Sequence, residues 1–85
     1  MDIEQLKKKS KSLDPSIRIG KNGINDNVLN EIKILVKKRQ LIKIKILKNC
    51  PEDIKNIIER TINYCDCKLI DKIGLTFTIH RGKSL

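Results

Sequence analysis

Aromatic side chains are almost absent from this 85-residue chain, which contains one Tyr, one Phe and no Trp. Modules that stack bases across a sheet, such as RRM and OB-fold domains, present several aromatic rings on one surface. The two aromatics here, Tyr64 and Phe77, argue against a platform of that kind. Phe77 is expected in the core, because it alternates with Leu75 and Ile79 as in a strand, whereas Tyr64 fits either the core or the surface.

Groups that bind metals or catalyse reactions are also scarce. The cysteines Cys50, Cys65 and Cys67 are odd in number and include a C-x-C pair, which fits neither a disulfide framework nor a C-x-x-C zinc site. Reduced thiols in a cytoplasmic protein are the simplest interpretation. His80 is the only imidazole, and no carboxylates have the spacing of an acid/base pair. The sequence therefore predicts no enzyme, no metal site and no cofactor.

Long apolar segments are missing as well. No run approaches the roughly 18 residues of a membrane span, and residues 1–13 contain no apolar core of a signal peptide. These absences predict a soluble cytoplasmic protein that does not enter a membrane. A chain of 85 residues has room for a single domain over residues 1–85, with one modest core and no deep catalytic pocket.

Positive charge, by contrast, is abundant. Nineteen Lys and Arg face 10 Asp and Glu, so the net charge is +9. This excess favours a polyanionic partner, with nucleic acid first and an anionic membrane second. A second interpretation is that genomic base composition or high growth temperature has enriched lysine, and that the charge only solvates the surface.

The hydrophobic periodicity predicts three helices and four strands in the order αβαβαββ. Strands separated by helices imply parallel crossovers, and the last two strands are close enough for an antiparallel hairpin near Gly74. We therefore expect a compact α/β sandwich around a mixed four-stranded sheet. The first predicted helix covers residues 2–12, the second has its N-cap at Asn25 or Asp26, and the third opens with Cys50-Pro51-Glu52-Asp53. The predicted strands cover Ser16–Ile19, Gln40–Lys48, Lys68–Ile73 and Leu75–Ile79.

The same pattern assigns faces and ends. Pro51 is expected at the first position of the third helix, where Glu52 and Asp53 complement the helix dipole. The tail from His80 to Leu85 is expected to be basic and loose. The strand over Gln40–Lys48 is expected to point Ile42, Ile44 and Ile46 to one face, and Leu41, Lys43, Lys45 and Leu47 to the other.

One loop has the composition of a phosphate-binding site. Gly20-Lys21-Asn22-Gly23 lies between a predicted strand and the start of a helix. Glycines permit positive φ and close approach of another backbone, Lys21 supplies a charge, and Asn22 supplies a donor. The N–H groups at the start of the following helix favour an anion. By itself, a G-x-x-G segment is equally typical of an ordinary turn.

Further basic residues are expected around this loop. They fall at strand ends and on the sheet face away from the isoleucines, or along the outer side and end of the second helix. For each one alone, a solvated surface residue is the simpler interpretation, and those at the helix end can complement its dipole. These residues are Arg18, Lys43, Lys45, Lys48, Arg81 and Lys83 in the first group, and Lys33, Lys37, Lys38 and Arg39 in the second.

Three stretches in consistent order resemble a known family. Ile17 to Ile24, Leu41 to Lys45 and Leu47 to Pro51, with Ile73-Gly74 before the last strand, are similar to the CRM domain (chloroplast RNA splicing and ribosome maturation), whose stand-alone prokaryotic form is the YhbY-like protein. The resemblance implies a fold similar to the C-terminal domain of translation initiation factor three. It also implies RNA binding through the glycine loop, association with large-subunit ribosomal precursors and, in plant relatives, intron splicing.

These observations together predict a non-catalytic, monomeric RNA-binding protein. Its partner is expected to be structured RNA, namely ribosomal RNA or a pre-ribosomal particle. The alternatives are a general nucleic-acid-binding or chromatin-like basic protein, for which net charge is the only argument, and an intron-splicing factor. The predicted RNA-binding residues are Arg18, Gly20, Lys21, Asn22, Gly23, Lys43, Lys45, Lys48 and Arg81.

Overall fold

The computed structural model of the protein describes residues 3–82. It confirms the predicted order of three helices and four strands. The elements are α1 (Ile3–Ser12), β1 (Ile17–Ile19), α2 (Asp26–Arg39), β2 (Leu41–Ile46), α3 (Ile54–Cys65), β3 (Lys68–Ile73) and β4 (Thr76–His80).

The four strands form one mixed sheet in the order β1-β2-β4-β3. β1 and β2 are parallel and are joined through α2, whereas β4 is antiparallel to both of its neighbours, β2 and β3. The crossover through α3 therefore passes over β4, and β2 and β3 run in the same direction. The β3–β4 hairpin turns at Gly74, whose φ of +59° favours glycine. The predicted mixed four-stranded sheet is confirmed.

The main core lies between one face of the sheet and the helices α2 and α3. Alternation along each strand directs apolar side chains to this face, and the helices meet it with residues spaced three or four apart. The isoleucines of β2 are at most 3% exposed, as predicted. The buried cluster includes Ile17, Ile19, Ile42, Ile44, Ile46, Phe77 and Ile79 from the sheet, and Leu29, Ile32, Val36, Ile57 and Ile58 from the helices.

Helix α1 covers the other face of the sheet. It packs against β2 and β3 through Leu6 and Ser10, which lie one helical turn apart and are 1% and 3% exposed. The Ser10 hydroxyl shares a 2.5 Å hydrogen bond with Thr78, and the Ser10 carbonyl accepts one from Lys43 Nζ at 3.2 Å. The sheet face away from the isoleucines is therefore partly closed, and Lys43 is half-buried there.

The start of α3 differs from the prediction. The helix begins at Ile54 after the N-cap residue Asp53, so Pro51 and Glu52 remain in the preceding loop. No acidic residue lies in the first turn, and the Asp53 side chain makes no capping hydrogen bond. The expected placement of Pro51 at the first helical position is therefore wrong, and the carboxylate of Glu52 accepts a hydrogen bond from the Ile24 N–H rather than complementing the dipole from the first turn.

The end of the chain also differs from the prediction. Leu75 belongs to the hairpin turn and is 41% exposed, whereas His80 is the buried last residue of β4. Arg81 extends the sheet pairing, because its N–H donates to the Gln40 carbonyl at 2.8 Å. The segment His80–Gly82 is therefore ordered against β2 and is not a loose tail. The remaining residues of that predicted tail, 83–85, lie outside the described part of the chain.

Burial of His80 makes the stability of the fold depend on pH. Its Nδ1 atom is buried and has no hydrogen-bond partner among the described residues. Burial, reinforced by the Arg81 charge, lowers the pKa of His80 below its ordinary value of 6.5. The unfolded chain therefore binds a proton more readily than the folded chain in the window below pH 6.5. Stability conferred by the neutral imidazole is lost as the pH falls through that window.

We expect the free energy of unfolding to decrease from about pH 7.5 to about pH 5.5, with a slope of at most about 1.4 kcal/mol per pH unit from this one group. Urea titrations at each pH measure it. His80→Gln should flatten the slope, because the carboxylates titrate mostly below this window. An identical slope in wild type and variant would show that another group is responsible.

Candidate nucleic-acid interface

Two similar turns lie side by side where the parallel strands β1 and β2 end. The first turn, Gly20–Gly23, is closed by a 2.9 Å hydrogen bond from the Gly23 N–H to the Gly20 carbonyl. The second, Leu47–Cys50, is closed by the equivalent bond at 3.0 Å. A bond of 2.8 Å from the Leu47 N–H to the Ile19 carbonyl continues the strand pairing up to the turns.

These two turns, here called the twin turns, have the same central dipeptide. Lys21-Asn22 is at the centre of one and Lys48-Asn49 is at the centre of the other, and all four residues are exposed. Within residues 3–82, the backbone N–H groups of Lys21 and Asn22 have no hydrogen-bond acceptor. The twin turns therefore present two ammonium groups, two side-chain amides and free backbone donors at one end of the sheet.

The two glycines of the first turn have different physical roles. Gly23 adopts φ +67°, and a Cβ there would lie 3.1 Å from Glu52 Oε2. Gly20 has no positive φ, and a Cβ there would make ordinary contacts with Leu47 at 3.4 Å and Asn49 at 3.6 Å. The expectation that glycine permits positive φ in this loop thus applies to Gly23, whereas the position of Gly20 has room for a Cβ and does not require glycine.

Glu52 fixes the first turn from across the site. Its Oε2 atom accepts a 2.8 Å hydrogen bond from the Ile24 N–H, and its Oε1 atom lies 3.3 Å from Arg60 Nη1. The side chain is partly buried against Gly23, with 32% exposure. Sequence analysis missed this role, because the hydrogen bond joins residues 28 positions apart and no local pattern indicates it.

The start of α2 contributes less to an anion site than its position suggests. Asn25 is the N-cap, as predicted, and its Oδ1 accepts a 3.0 Å hydrogen bond from the Val28 N–H. Asp26 adds a carboxylate in the first turn, which opposes a bound anion. With the Ile24 N–H occupied by Glu52, the groups available to a phosphate are mainly those of the twin turns.

The structure brings some of the other predicted residues to this end of the sheet. Arg18 and Lys45 are directly paired across β1 and β2, and both are exposed. They lie on the α1 side of the sheet, with Arg18 two residues, or about 7 Å, before Gly20. Lys43 lies on the same face but is tied to the Ser10 carbonyl, so it contributes to packing of α1.

Arg81 lies at the opposite end of the sheet. Its neighbour His80 pairs with Leu41, the first residue of β2, whereas the twin turns follow the last residues of β1 and β2. One guanidinium nitrogen donates a 2.9 Å hydrogen bond to the Lys37 carbonyl in the last turn of α2. Arg81 therefore does not join the other predicted residues around the glycine loop.

Sequence analysis also missed basic and apolar residues outside the twin turns. Helix α1, which covers the sheet face away from the isoleucines, carries a run of lysines that the sequence displays openly as Lys-Lys-Lys-Ser-Lys. The hairpin tip places Ile73 (62% exposed) and Leu75 (41% exposed) at the same end as the twin turns, because the Leu75 carbonyl accepts a bond from Ile46. The α1 lysines are Lys7, Lys8, Lys9 and Lys11.

The cysteines are placed for packing rather than for chemistry. Cys65 and Cys67 are buried in the core. Burial raises the pKa of both thiols, for Cys67 to about 12, so they stay protonated at neutral pH. Among residues 3–82 no three His, Cys, Asp or Glu side chains cluster as metal ligands would. No helix in this part of the chain has the length and apolarity to cross a membrane.

A mixed four-stranded sheet covered by three helices is a fold that this chain shares with a known protein. The chain belongs to the CRS1/YhbY (CRM) domain family, whose model matches residues 1–81. The solution structure of the hypothetical protein SAV1595 from Staphylococcus aureus has the same fold, with a TM-score of 0.78 and 30% identity. That match covers 98% of this chain and 86% of the other.

Relatives come from bacteria, archaea and plants. The probable RNA-binding protein YqeI of Bacillus subtilis is 33% identical over 76 residues, which cover 89% of this chain and 79% of YqeI. The probable RNA-binding protein MJ0652 of Methanocaldococcus jannaschii is 32% identical over 80 residues, 92% of this chain and 59% of that protein. The chloroplastic CRS2-associated factor 1 of Arabidopsis thaliana is 31% identical over 68 residues, 80% of this chain but 10% of the plant protein.

The different roles of the two glycines can be separated by substitution. We expect Gly23→Ala to lower the free energy of unfolding by about 1–2 kcal/mol, because alanine is strained at positive φ and its Cβ would crowd Glu52. Gly20→Ala should cost less than about 0.5 kcal/mol. Urea unfolding of both variants measures the difference. Equal losses would mean that the loop does not require the left-handed conformation at Gly23.

The hydrogen bond from Ile24 to Glu52 yields a second prediction. Glu52→Ala leaves a partly buried N–H without a partner and should destabilise the fold by about 1–3 kcal/mol. Asp53→Ala is the matched control, since its side chain makes no capping bond, and it should cost no more than about 0.5 kcal/mol. Thermal or urea unfolding compares the two. If the losses were similar, Glu52 would not be the residue that holds the loop.

Proposed function

We propose that this protein is a non-catalytic RNA-binding protein that grips backbone phosphates with the twin turns. The observation that carries the proposal is the pair of exposed Lys-Asn dipeptides held side by side at the ends of β1 and β2. Ammonium groups, amides and free backbone N–H groups are the donors that proteins use on phosphodiesters. Contacts of this kind position a nucleic acid without reading its bases.

Two independent facts support RNA as the polyanion. The relatives YqeI and MJ0652 are named as probable RNA-binding proteins, and the chain carries a net charge of +9. In residues 3–82 consecutive helices are always separated by a strand, so these residues contain no helix-turn-helix pair of the kind that reads the DNA major groove. Arg18 and Lys45 extend the basic surface beyond the twin turns.

The cellular role proposed here is maturation of the large ribosomal subunit by a cytoplasmic monomer. It is supported by membership of the CRM family, and the RNA partner is then ribosomal RNA or a pre-ribosomal particle. The proposed contacts are made to the RNA backbone and not to its bases. A preference for structured RNA over duplex DNA must then come from the shape of the RNA.

The test is to measure binding of structured ribosomal RNA across a salt series, for wild type and for Lys21→Asp/Asn22→Asp. We expect the variant to bind about tenfold more weakly, a loss of about 1.4 kcal/mol. The slope of log affinity against log salt should become shallower by about 1, because one lysine–phosphate contact is removed.

The chain offers a matched control for this substitution. Lys55-Asn56 is the same dipeptide, exposed in the first turn of α3, so Lys55→Asp/Asn56→Asp changes the charge equally elsewhere. This control should retain affinity within about twofold of wild type. Equal losses in the two variants, or duplex DNA of equal charge bound as tightly as RNA, would indicate generic charge attraction and contradict the proposal.

A further inference from the structure

A groove of about 570 Å³ opens between α2 and α3, along the second half of α2. Lys33 and Lys37 line it from α2, Tyr64 and Asp66 from the end of α3, and Arg81 from the residue after β4. We call it the tyrosine groove. Lys33 and Lys37 lie seven and eleven residues after Asp26, the first residue of α2, so they are about 10–16 Å along the helix axis from the end that follows the first turn.

Tyr64 is held in a fixed orientation within this groove. Its hydroxyl donates a hydrogen bond to Asn30 Oδ1 on α2. Lys33 Nζ lies 5.6 Å from the centre of the ring, within the range of a cation–π contact. The side chain is nevertheless 38% exposed. An aromatic ring that is anchored at its polar end and open to solvent is suited to stack against another flat ring.

The charge of the groove selects an anionic ligand. Three cations, Lys33, Lys37 and Arg81, face one acid, Asp66. The Arg81 guanidinium is fixed by its 2.9 Å hydrogen bond to the Lys37 carbonyl, so little side-chain entropy remains to be lost on binding. Lys38 and Arg39 in the last turn of α2 add to the positive potential at this end.

A ligand that combines a flat ring with negative charge is a nucleotide. We propose that the tyrosine groove binds one unpaired nucleotide of the RNA, with its base stacked on Tyr64 and its phosphate contacted by Lys37 and Arg81. The inference rests on the proposed function for the identity of the polymer, but it uses none of the twin-turn residues. The protein then holds RNA at two places, about 10–16 Å apart along the axis of α2.

Tyr64 itself provides the readout, because it is the only tyrosine and the chain has no tryptophan. Intrinsic fluorescence is followed while a uridine dinucleotide, which carries a single internal phosphate, is added at low salt. A parallel titration of free tyrosine amide corrects for absorbance. We expect saturable quenching in wild type, equal quenching in Lys21→Asp/Asn22→Asp, and at least about fivefold weaker binding in Lys33→Gln/Lys37→Gln.

The absence of saturable quenching in wild type would overturn the proposal. So would quenching that survives in Lys33→Gln/Lys37→Gln but disappears in Lys21→Asp/Asn22→Asp, since the dinucleotide would then bind at the turns.

Binding of structured RNA tests the same residue in the setting of the full interaction. Tyr64→Leu should weaken binding by about tenfold, whereas Tyr64→Phe retains the ring and should restore affinity to within about twofold of wild type. Unchanged affinity in Tyr64→Leu would refute the groove. Equal losses in Leu and Phe variants would refute stacking, because the two share only the missing bond to Asn30. A loss in Tyr64→Leu with none in the twin-turn variant would support the groove and reject the proposed grip.

Discussion

The parallel pairing of β1 with β2 is the constraint on which the candidate site depends. β1 has only three residues and lies at the edge of the sheet, so it has one strand neighbour. Ile17 and Ile19 anchor it in the core, each contributing about 1.5–3 kcal/mol by burial. Because parallel strands end at the same edge of a sheet, this short strand is what brings Lys21-Asn22 next to Lys48-Asn49. The bond between Ile24 and Glu52 then fixes the direction in which the chain leaves that edge.

The positive charge is distributed in a way that limits its cost to folding. Clusters of basic residues occupy the twin turns, the exposed side of α1 and the far end of α2, and single basic residues are exposed on the sheet and on α3. The two ends of α2 are separated by about 20 Å, whereas the screening length at physiological salt is about 8 Å. Repulsion between the two ends is therefore largely screened, although each end alone keeps a strong local potential. A small protein can carry a charge of +9 in this arrangement without a compensating acidic surface.

Local patterns predicted the elements well, since strands and helices depend on near neighbours. The isoleucine alternation of β2, the N-cap at Asn25 and the hairpin at Gly74 follow from spacing and backbone preference alone, and all three are present. The family resemblance then identified the class of fold. The twin turns were predicted in part, because Lys21, Asn22 and Lys48 are among the predicted RNA-binding residues. That the two turns lie next to each other depends on the strand register, which the sequence does not reveal.

The predictions that failed concern contacts between distant segments. Nothing near Glu52 in the sequence indicates that its carboxylate accepts a hydrogen bond from Ile24. The position of Arg81 directly after the last strand likewise does not indicate that its guanidinium contacts the Lys37 carbonyl at the end of α2. The burial of His80 is a related case, since it depends on the extension of β4 alongside Leu41. Closure of the second sheet face by α1 depends on burial of Leu6 and on two polar contacts of Ser10, and hydrophobic periodicity does not reveal the role of Ser10.

The two proposed contacts would allow a chain with so few aromatic rings to discriminate among RNAs. Phosphate contacts at the twin turns give affinity that is nearly independent of sequence, and a single stacked base adds a modest increment. A rigid helix joins the two sites and fixes the distance between them. The second contact therefore forms at a high effective concentration only when an unpaired nucleotide lies at the matching distance from the bound backbone segment. Selectivity then comes from the shape of the RNA, since duplexes keep their bases stacked and cannot fill the groove. One well-placed tyrosine is sufficient for that purpose, and a second aromatic platform would add affinity without adding shape discrimination.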